Sequence, residues 1–455
     1  MNSGSLRTDL RLAWLLTRGS DRKEGWRIAL TATGAALATG FALAAGALTA
    51  LGDGQYHVPV AAGLLDQPGT RAGVIVALLL LLVPVLGFLG QCTRIGAVHR
   101  DRRLAGLRLA GATPGQVRRI AALETGLACA LGSVVATAGA VVVLLRQWQR
   151  PTPTAWAAVV VVALAVPVLG GVAGRLALRR VVASPLGQVR RVSPRSGRGP
   201  ARLFLGSLLG VGVVALLAML TLSPSPGART PVWQGPLGLF GALLTVGAGA
   251  VWLSGATAGA VGRAMARTAR SAATLIAAER LRDDPWAAAR THAAVLLVTV
   301  VGTGFVGLRQ SMLELLGREG RGVEDMEFYT TGLDLAATAV VVGLLITLTG
   351  LAVGTAESLS ARRRGLAAQV AAGVPRRVLN RALLLETALP LAPALVLAGI
   401  GGLVIGVGYS VLTASVVPWA ALLVPLGVYA ACLLAAATAL PLLGRSLRPG
   451  ELRHG

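Results

Sequence analysis

Few residues in this chain are of a type and spacing that could do chemistry. Two glutamates stand out, Glu124 and Glu386, each following a cluster of arginines and each heading a run that carries no charge. Paired carboxylates act as acid and base when they flank one substrate, but these two lie 262 residues apart, at matching places in a repeat. The arginines before them are Arg94, Arg100, Arg102, Arg103 and Arg108 in one place and Arg362, Arg363 and Arg364 in the other. ATP hydrolysis within the chain would need a glycine-rich loop ending in Gly-Lys-Ser or Gly-Lys-Thr to cradle the phosphates. The sole lysine is Lys23, and it follows Arg22, so the chain carries no such loop. Cys92, Cys129 and Cys432 lie in or at the edge of apolar runs and read as small packing residues, with no sign of a disulfide or a metal site. The four histidines are scattered; His292 opens an apolar run, where a packed residue is the plainer reading than a polar contact between helices. No catalytic residue, metal ligand or substrate-binding residue is assigned.

The elements that position these residues follow from composition. Of 455 residues 54% are hydrophobic, and only 14% are charged, against about 25% in soluble domains. That is too little charge to cover a soluble surface, which excludes a soluble enzyme, a disordered chain and a nucleic-acid-binding domain as first readings. Ten stretches lack Asp, Glu, Lys and Arg: Ile28–Leu51, Ala72–Cys92, Thr125–Leu145, Ala155–Gly174, Leu203–Leu222, Pro236–Val261, Thr291–Leu308, Leu335–Thr355, Thr387–Leu412 and Val416–Gly444. A helix rising ~1.5 Å per residue crosses a ~30 Å hydrocarbon layer in about 20 residues, and only the seventh run is slightly short of that. The runs are too long and too uniformly apolar for barrel strands. The expected fold is all-α: a polytopic membrane protein with ten transmembrane helices. The first run follows a charged segment and lacks a convincing cleavage site, so it is not read as a cleaved signal.

Charge placement sets the expected orientation. With the N-terminus inside, 36 of the 43 basic residues fall on the inner side and 7 on the outer, while 11 acids fall inside and 8 outside. The net charge of +24 is therefore a topology signal that suits an anionic inner leaflet, rather than a sign of nucleic-acid binding. Both termini are expected in the cytoplasm of a cell-membrane protein. The scarcity of lysine and the Ala-Gly-Arg-Val bias fit a GC-rich bacterial genome.

The chain repeats at an offset of 262 residues: Leu104-Ala105 matches Leu366-Ala367, Ala110-Gly111 matches Ala372-Gly373, and Leu123-Glu124-Thr125 matches Leu385-Glu386-Thr387. Runs two, three and four fall on runs eight, nine and ten, run one falls roughly on run seven, and runs five and six join the halves. The expected organisation is a cytoplasmic amphipathic segment over 1–27, a first four-helix unit over 28–190, two linking helices over 203–261, a second four-helix unit over 265–444 and a cytoplasmic tail over 445–455. Two intervening helices keep both units in one orientation, a parallel repeat about an axis along the membrane normal. In the first copy a helix over Arg94–Ala110 should end at Gly111 in the left-handed conformation; Thr113 should cap the next helix and Pro114 open it. The second copy has Arg362–Ala372, Gly373 and Pro375 in the same order. The N-terminal segment puts Leu6, Leu10, Ala13 and Trp14 on one helical face and Arg7, Arg11 and Arg18 on another, an interfacial helix; Met265–Arg282 is a weaker equivalent.

These residues resemble the FtsX-like, MacB-type permeases of ATP-binding-cassette (ABC) transporters. The likeness rests on Arg94 to Ala112 with Glu124 downstream, on the more degenerate copy Arg362 to Val374 with Glu386, and on Val182-Ala183-Ser184-Pro185-Leu186 after run four. It spans both four-helix units. It implies a permease whose inner segments dock a separate ATPase, with ATP and magnesium on that partner and none in this chain. It also implies coupling residues, namely Arg94, Arg100, Arg102, Arg103, Leu104, Arg108, Gly111, Glu124, Arg362, Arg363, Arg364, Leu366, Gly373 and Glu386. Two four-helix units in one chain imply two ATPase copies per single permease chain, amid membrane lipids. Relatives often carry a large outer domain; here the outer loops Gly52–Arg71 and Arg309–Asp334 are too short for a domain of ~50 residues. An amphiphilic or lipid-like substrate entering sideways from the bilayer fits such a plan.

Other readings stay open. A secondary transporter driven by an ion gradient needs ionisable groups within the membrane, and none of the ten runs has an acid, lysine or arginine. A membrane enzyme acting on lipid lacks a ligand cluster or carboxylate pair. A sensor that uses ATPase strokes to signal is not separable from an exporter. Glycines such as Gly34, Gly40, Gly46, Gly401, Gly402, Gly406 and Gly408 read as packing contacts, and Pro84, Pro167, Pro390, Pro393 and Pro425 as kinks.

Overall fold

The structure, a computed structural model, describes residues 22–52, 63–92, 106–107, 109–147, 151–177, 234–319, 323–412 and 417–441, and among them there is no strand. The helices are α1 (Arg22–Thr49), α2 (Pro68–Cys92), α3 (Pro114–Gln147), α4 (Pro153–Ala177), α5 (Gln234–Thr268), α6 (Ala272–Asp283), α7 (Pro285–Glu319), α8 (Val323–Ala361), α9 (Arg363–Ala371), α10 (Arg376–Leu412) and α11 (Leu423–Ala437), the last preceded by a 3-10 turn, Trp419–Leu422. Nine of the described helical segments are long and apolar enough to cross a membrane, so the chain is an all-α polytopic membrane protein. They correspond to nine of the ten charge-free runs. The run Leu203–Leu222, the N-terminal amphipathic segment before Arg22, Val182–Leu186 and the tail lie outside the described residues.

Three expectations about which segments are helical change. The run Thr291–Leu308, short by its charge-free length, lies within the 35-residue helix α7. Its apolar stretch reaches Arg318, because an arginine at a helix end can carry its charge out of the hydrocarbon; Arg309 there meets Asp334 at 3.2 Å. The segment Arg309–Asp334 is accordingly not a loop but the facing ends of α7 and α8, with only 320–322 outside the described residues. The stretch Met265–Arg282 is also two pieces: α5 runs to Thr268, and α6 starts afresh after Ser271, whose hydroxyl and Thr274 form a reciprocal capping box.

The chain divides into two compact units, 1–52 with 81–193 and 53–80 with 194–455, so that α2 contributes its two ends to different units. In the first unit α1 crosses α3 closely at Gly132, where any Cβ would collide with the Ala32 carbonyl; Gly34 packs under Leu89 and Gly46 against Ala158. Pro167 in α4 cannot donate to Ala163, and the Ser133 hydroxyl of α3 donates to that Ala163 carbonyl at 3.0 Å, satisfying a group that lipid would leave bare. Outward on α4, Val160, Val161, Leu164 and Val168 are exposed, as suits a helix against acyl chains.

In the second unit α7 is the most enclosed span. Its Val295, Leu296 and Val300 pack with Leu243 of α5, Leu351 of α8, Leu391 and Leu395 of α10 and Val428 of α11. A Cβ at Gly402 would lie 2.5 Å from the Val300 carbonyl oxygen, and one at Gly406 3.2 Å from the Gly307 Cα. Glycine is what lets α7 and α10 approach this far. Of the glycines read as packing contacts, Gly40 and Gly408 have nothing within 4 Å and are not contacts. Pro425 does not kink a span either: it sits in the first turn of α11, where its missing N–H costs nothing, and its ring fills the space left by Gly399.

Candidate functional site

Each repeat carries a helix–turn–helix elbow ahead of its third span. In the first, helical residues 106, 107 and 109 lead to Gly111, whose φ is 95°; in the second, α9 leads to Gly373, φ 89°. Only glycine takes such values without strain. The Ala112 N–H donates back to the Leu107 carbonyl at 3.0 Å and the Val374 N–H to the Gln369 carbonyl at 3.0 Å, while Gly373 N–H donates to Val370 at 2.9 Å. This is the Schellman closure, which satisfies the last carbonyls of a helix. A small apolar knot backs each turn: Leu107 and Ala112 pack on Val117 and Ala121, and Val374 packs with Leu379 and Leu383. Ala112, Val117 and Ala121 correspond to Val374, Leu379 and Leu383 at the 262-residue offset, so the two elbows are built alike.

The following helices start differently. Thr113 caps α3, accepting from the Gln116 N–H at 3.3 Å while its own N–H donates to the Gln116 side chain at 2.8 Å, and Pro114 is the first helical residue. In the second copy Pro375 stands at the register of Thr113, one residue before α10 begins at Arg376. Proline therefore occupies the capping position there and brings no side-chain acceptor.

Exposed small residues stand at matching places on both elbows. Gly106, Ala110 and Gly111 are exposed, as are their counterparts Ala368, Ala372 and Gly373. Leu109 is 79% exposed. Leu366, by contrast, is buried within the second elbow and contributes to its packing rather than to its surface. Arg94, Arg100, Arg102, Arg103, Leu104 and Arg108 lie outside the described residues, and the side chains of Arg363 and Arg364 do too.

The two glutamates stand 13 residues beyond their glycines, roughly three turns up α3 and α10. Both are ion-paired. Glu124 is buried and bonded to the equally buried Arg27 of α1. Glu386 accepts from two arginines at 2.7 Å each: Arg280 of α6 through one carboxylate oxygen, and Arg362, at the joint between α8 and α9, through the other. Of the residues singled out in the sequence, Arg362 and Glu386 are thus brought together. Arg27 and Arg280 were not among them. The available signal was that a carboxylate at the head of an apolar helix requires a cation, and that each of these arginines stands at or before the first helix of its repeat.

Among the described residues no group of three or more His, Cys, Asp or Glu could hold a metal ion. His292 is buried near the start of α7. The three cysteines are free and buried.

Residues 74–186, about a quarter of the chain, match the family model described as FtsX-like permease C-terminal. The match runs from within α2 past the end of α4 and so contains the first elbow and Glu124. No curated protein and no solved structure matches the chain.

Proposed function

We propose that the chain is the membrane-spanning permease subunit of an ABC transporter of the FtsX-like, MacB-type kind, coupling ATP hydrolysis on a separate ATPase to movement of an amphiphilic substrate or to a transmembrane signal. The observation that carries this reading is the repeated elbow: one glycine-closed helix–turn–helix, with exposed small residues and a clamped glutamate, built at the same register of two repeats. The family match over 74–186 supports the first copy directly. The second copy has the same turn, the same knot and the same glutamate at the 262-residue offset.

The physical logic is that of a lever. The backbone closure and the apolar knot make each elbow stiff, so force applied to its exposed face is passed to α3 or α10 instead of being lost in a soft loop. The exposed glycines and alanines admit close approach of a partner surface. On this reading the elbows face the cytoplasm, both termini lie there, and two ATPase copies engage the two elbows of a single permease chain in the cell membrane. The partner supplies the nucleotide site; this chain's sole lysine, Lys23, is not in a phosphate-binding loop.

The test is reconstitution with a cytoplasmic ABC ATPase that co-purifies with this chain. Hydrolysis that responds to the permease, and substrate release or a conformational signal that requires ATP, supports the reading. Substrate movement driven in sealed vesicles by a proton gradient without ATP would replace it with an ion-coupled transporter.

A further inference from the structure

The repeat places Glu124 and Glu386 at equivalent positions, yet their surroundings differ in kind. The Glu124 and Arg27 side chains are 2% and 5% exposed. Neither charge can be released to water without first opening the packing of α1 on α3, which is drawn tight at Gly132. Removing one partner would break a buried ion pair, which is strongly destabilising. Glu386 is 23% exposed and divides its two oxygens between Arg280, 20% exposed, and Arg362, 43% exposed. All three can exchange each other for water or for a partner's polar groups, and partly exposed pairs of this sort are weak.

The elements tied together also differ. Arg27 and Glu124 join two spans. Arg280 lies on α6, a 12-residue helix whose buried face is Ala273, Ala277, Ala278 and Leu281, and Arg362 sits where the backbone breaks between α8 and the elbow helix α9. Glu386 therefore ties the root of the second elbow to α6 through one partly buried and one exposed ion pair, beside the packing of α6 on α10.

We propose that the two glutamates are unequal latches: Arg27–Glu124 is a fixed strut, and Arg280–Glu386–Arg362 is a releasable latch that lets the second elbow swing away from α6 while the first stays locked to α1. Glu386 is thus a positioning residue that acts through the elbow. This rests on the coupling role proposed above and adds that the two halves of the chain do different work.

The experiment uses paired spin labels on the full chain in lipid nanodiscs, alone and with the ATPase. One pair, at Leu275 of α6 and Ala368 of α9, reports the second elbow; the other, at Trp26 of α1 and Leu109, reports the first. All four sites are exposed. The expected result is a distance change at the second pair on ATP binding and none at the first. Glu386→Gln, and the milder Arg362→Gln, should produce the released distance as the dominant population in the chain alone, without nucleotide. Equal movement of both pairs, movement of the first alone, or wild-type distances in both variants overturns the proposal. If the ATPase does not bind the wild-type chain, the coupling reading fails on its own; the comparison of variants in the isolated chain still decides the latch.

Discussion

Replacing Gly111 and Gly373 by valine tests the elbows most sharply. A Cβ built at either glycine finds nothing within 4 Å, so the substitution meets no steric wall and its whole cost is conformational. The turns hold φ at 95° and 89°, where an L-residue pays roughly 1–2 kcal/mol and a β-branched one sits at the top of that range. Since about 1.4 kcal/mol is a tenfold change in population, each elbow loses its closed form by a factor on the order of 5–30, and relaxation breaks the back-bonds from Ala112 to Leu107 and from Val374 to Gln369. The cost should be graded: asparagine, which tolerates the left-handed region, least; alanine intermediate; valine most. Membrane insertion should persist in the double variant, because the spans and their packing are untouched, and the comparison is made on variant complex that co-purifies with the ATPase. The assay is the hydrolysis rate of the purified complex beside its response to substrate. Basal hydrolysis should remain while the substrate response falls in the order asparagine, alanine, valine. A valine double variant with wild-type stimulation, or three substitutions with indistinguishable effects, refutes the argument that the stiff left-handed turn transmits force.

Thermal unfolding in detergent should rank the glutamates. Glu124→Gln takes the charge out of a buried ion pair and should cost about 3–5 kcal/mol, whereas Glu386→Gln loses two partly exposed pairs worth together about 1–2 kcal/mol; equal losses would contradict the burial difference. Ser133→Ala leaves the Ala163 carbonyl without its donor beside Pro167 and should cost about 1–2 kcal/mol, while the double change Ser133→Ala with Pro167→Ala, which restores the helix's own bond, should recover most of it. Single cysteines at 53–62 should react with an impermeant thiol reagent in intact cells, and cysteines at Gly106 or Ala368 should not; the reverse pattern would invert the proposed topology.

Much of this was legible in the sequence because it is local. Charge-free runs give spans, since a charge in hydrocarbon is costly wherever it falls, and Gly111 and Gly373 give turns, since the left-handed conformation selects glycine by its own sterics. Contacts between distant segments were not legible. That each glutamate needs a cation was legible, but which arginine supplies it, 97 or 106 residues earlier, was not; that depends on how α1 and α6 pack on α3 and α10. Runs of charge-free residues also understated α7, because Arg309 and Arg318 sit where a long side chain can reach polar surroundings while the helix continues. Glycine composition marked Gly402 and Gly406 as contacts correctly and Gly40 and Gly408 wrongly, since spacing alone does not tell which face of a helix meets a neighbour. The 262-residue offset puts Pro375 at the register of Thr113, but only the backbone shows that Pro114 lies inside its helix and Pro375 just outside.

The central claim is that one chain carries two lever sites for a separate motor. Mass measurement of the detergent-solubilised complex, with the chain and its ATPase co-expressed and nucleotide-trapped, tests it directly. The account predicts one permease chain with two ATPase subunits. Two permease chains per two ATPases, or no association at all, would contradict it.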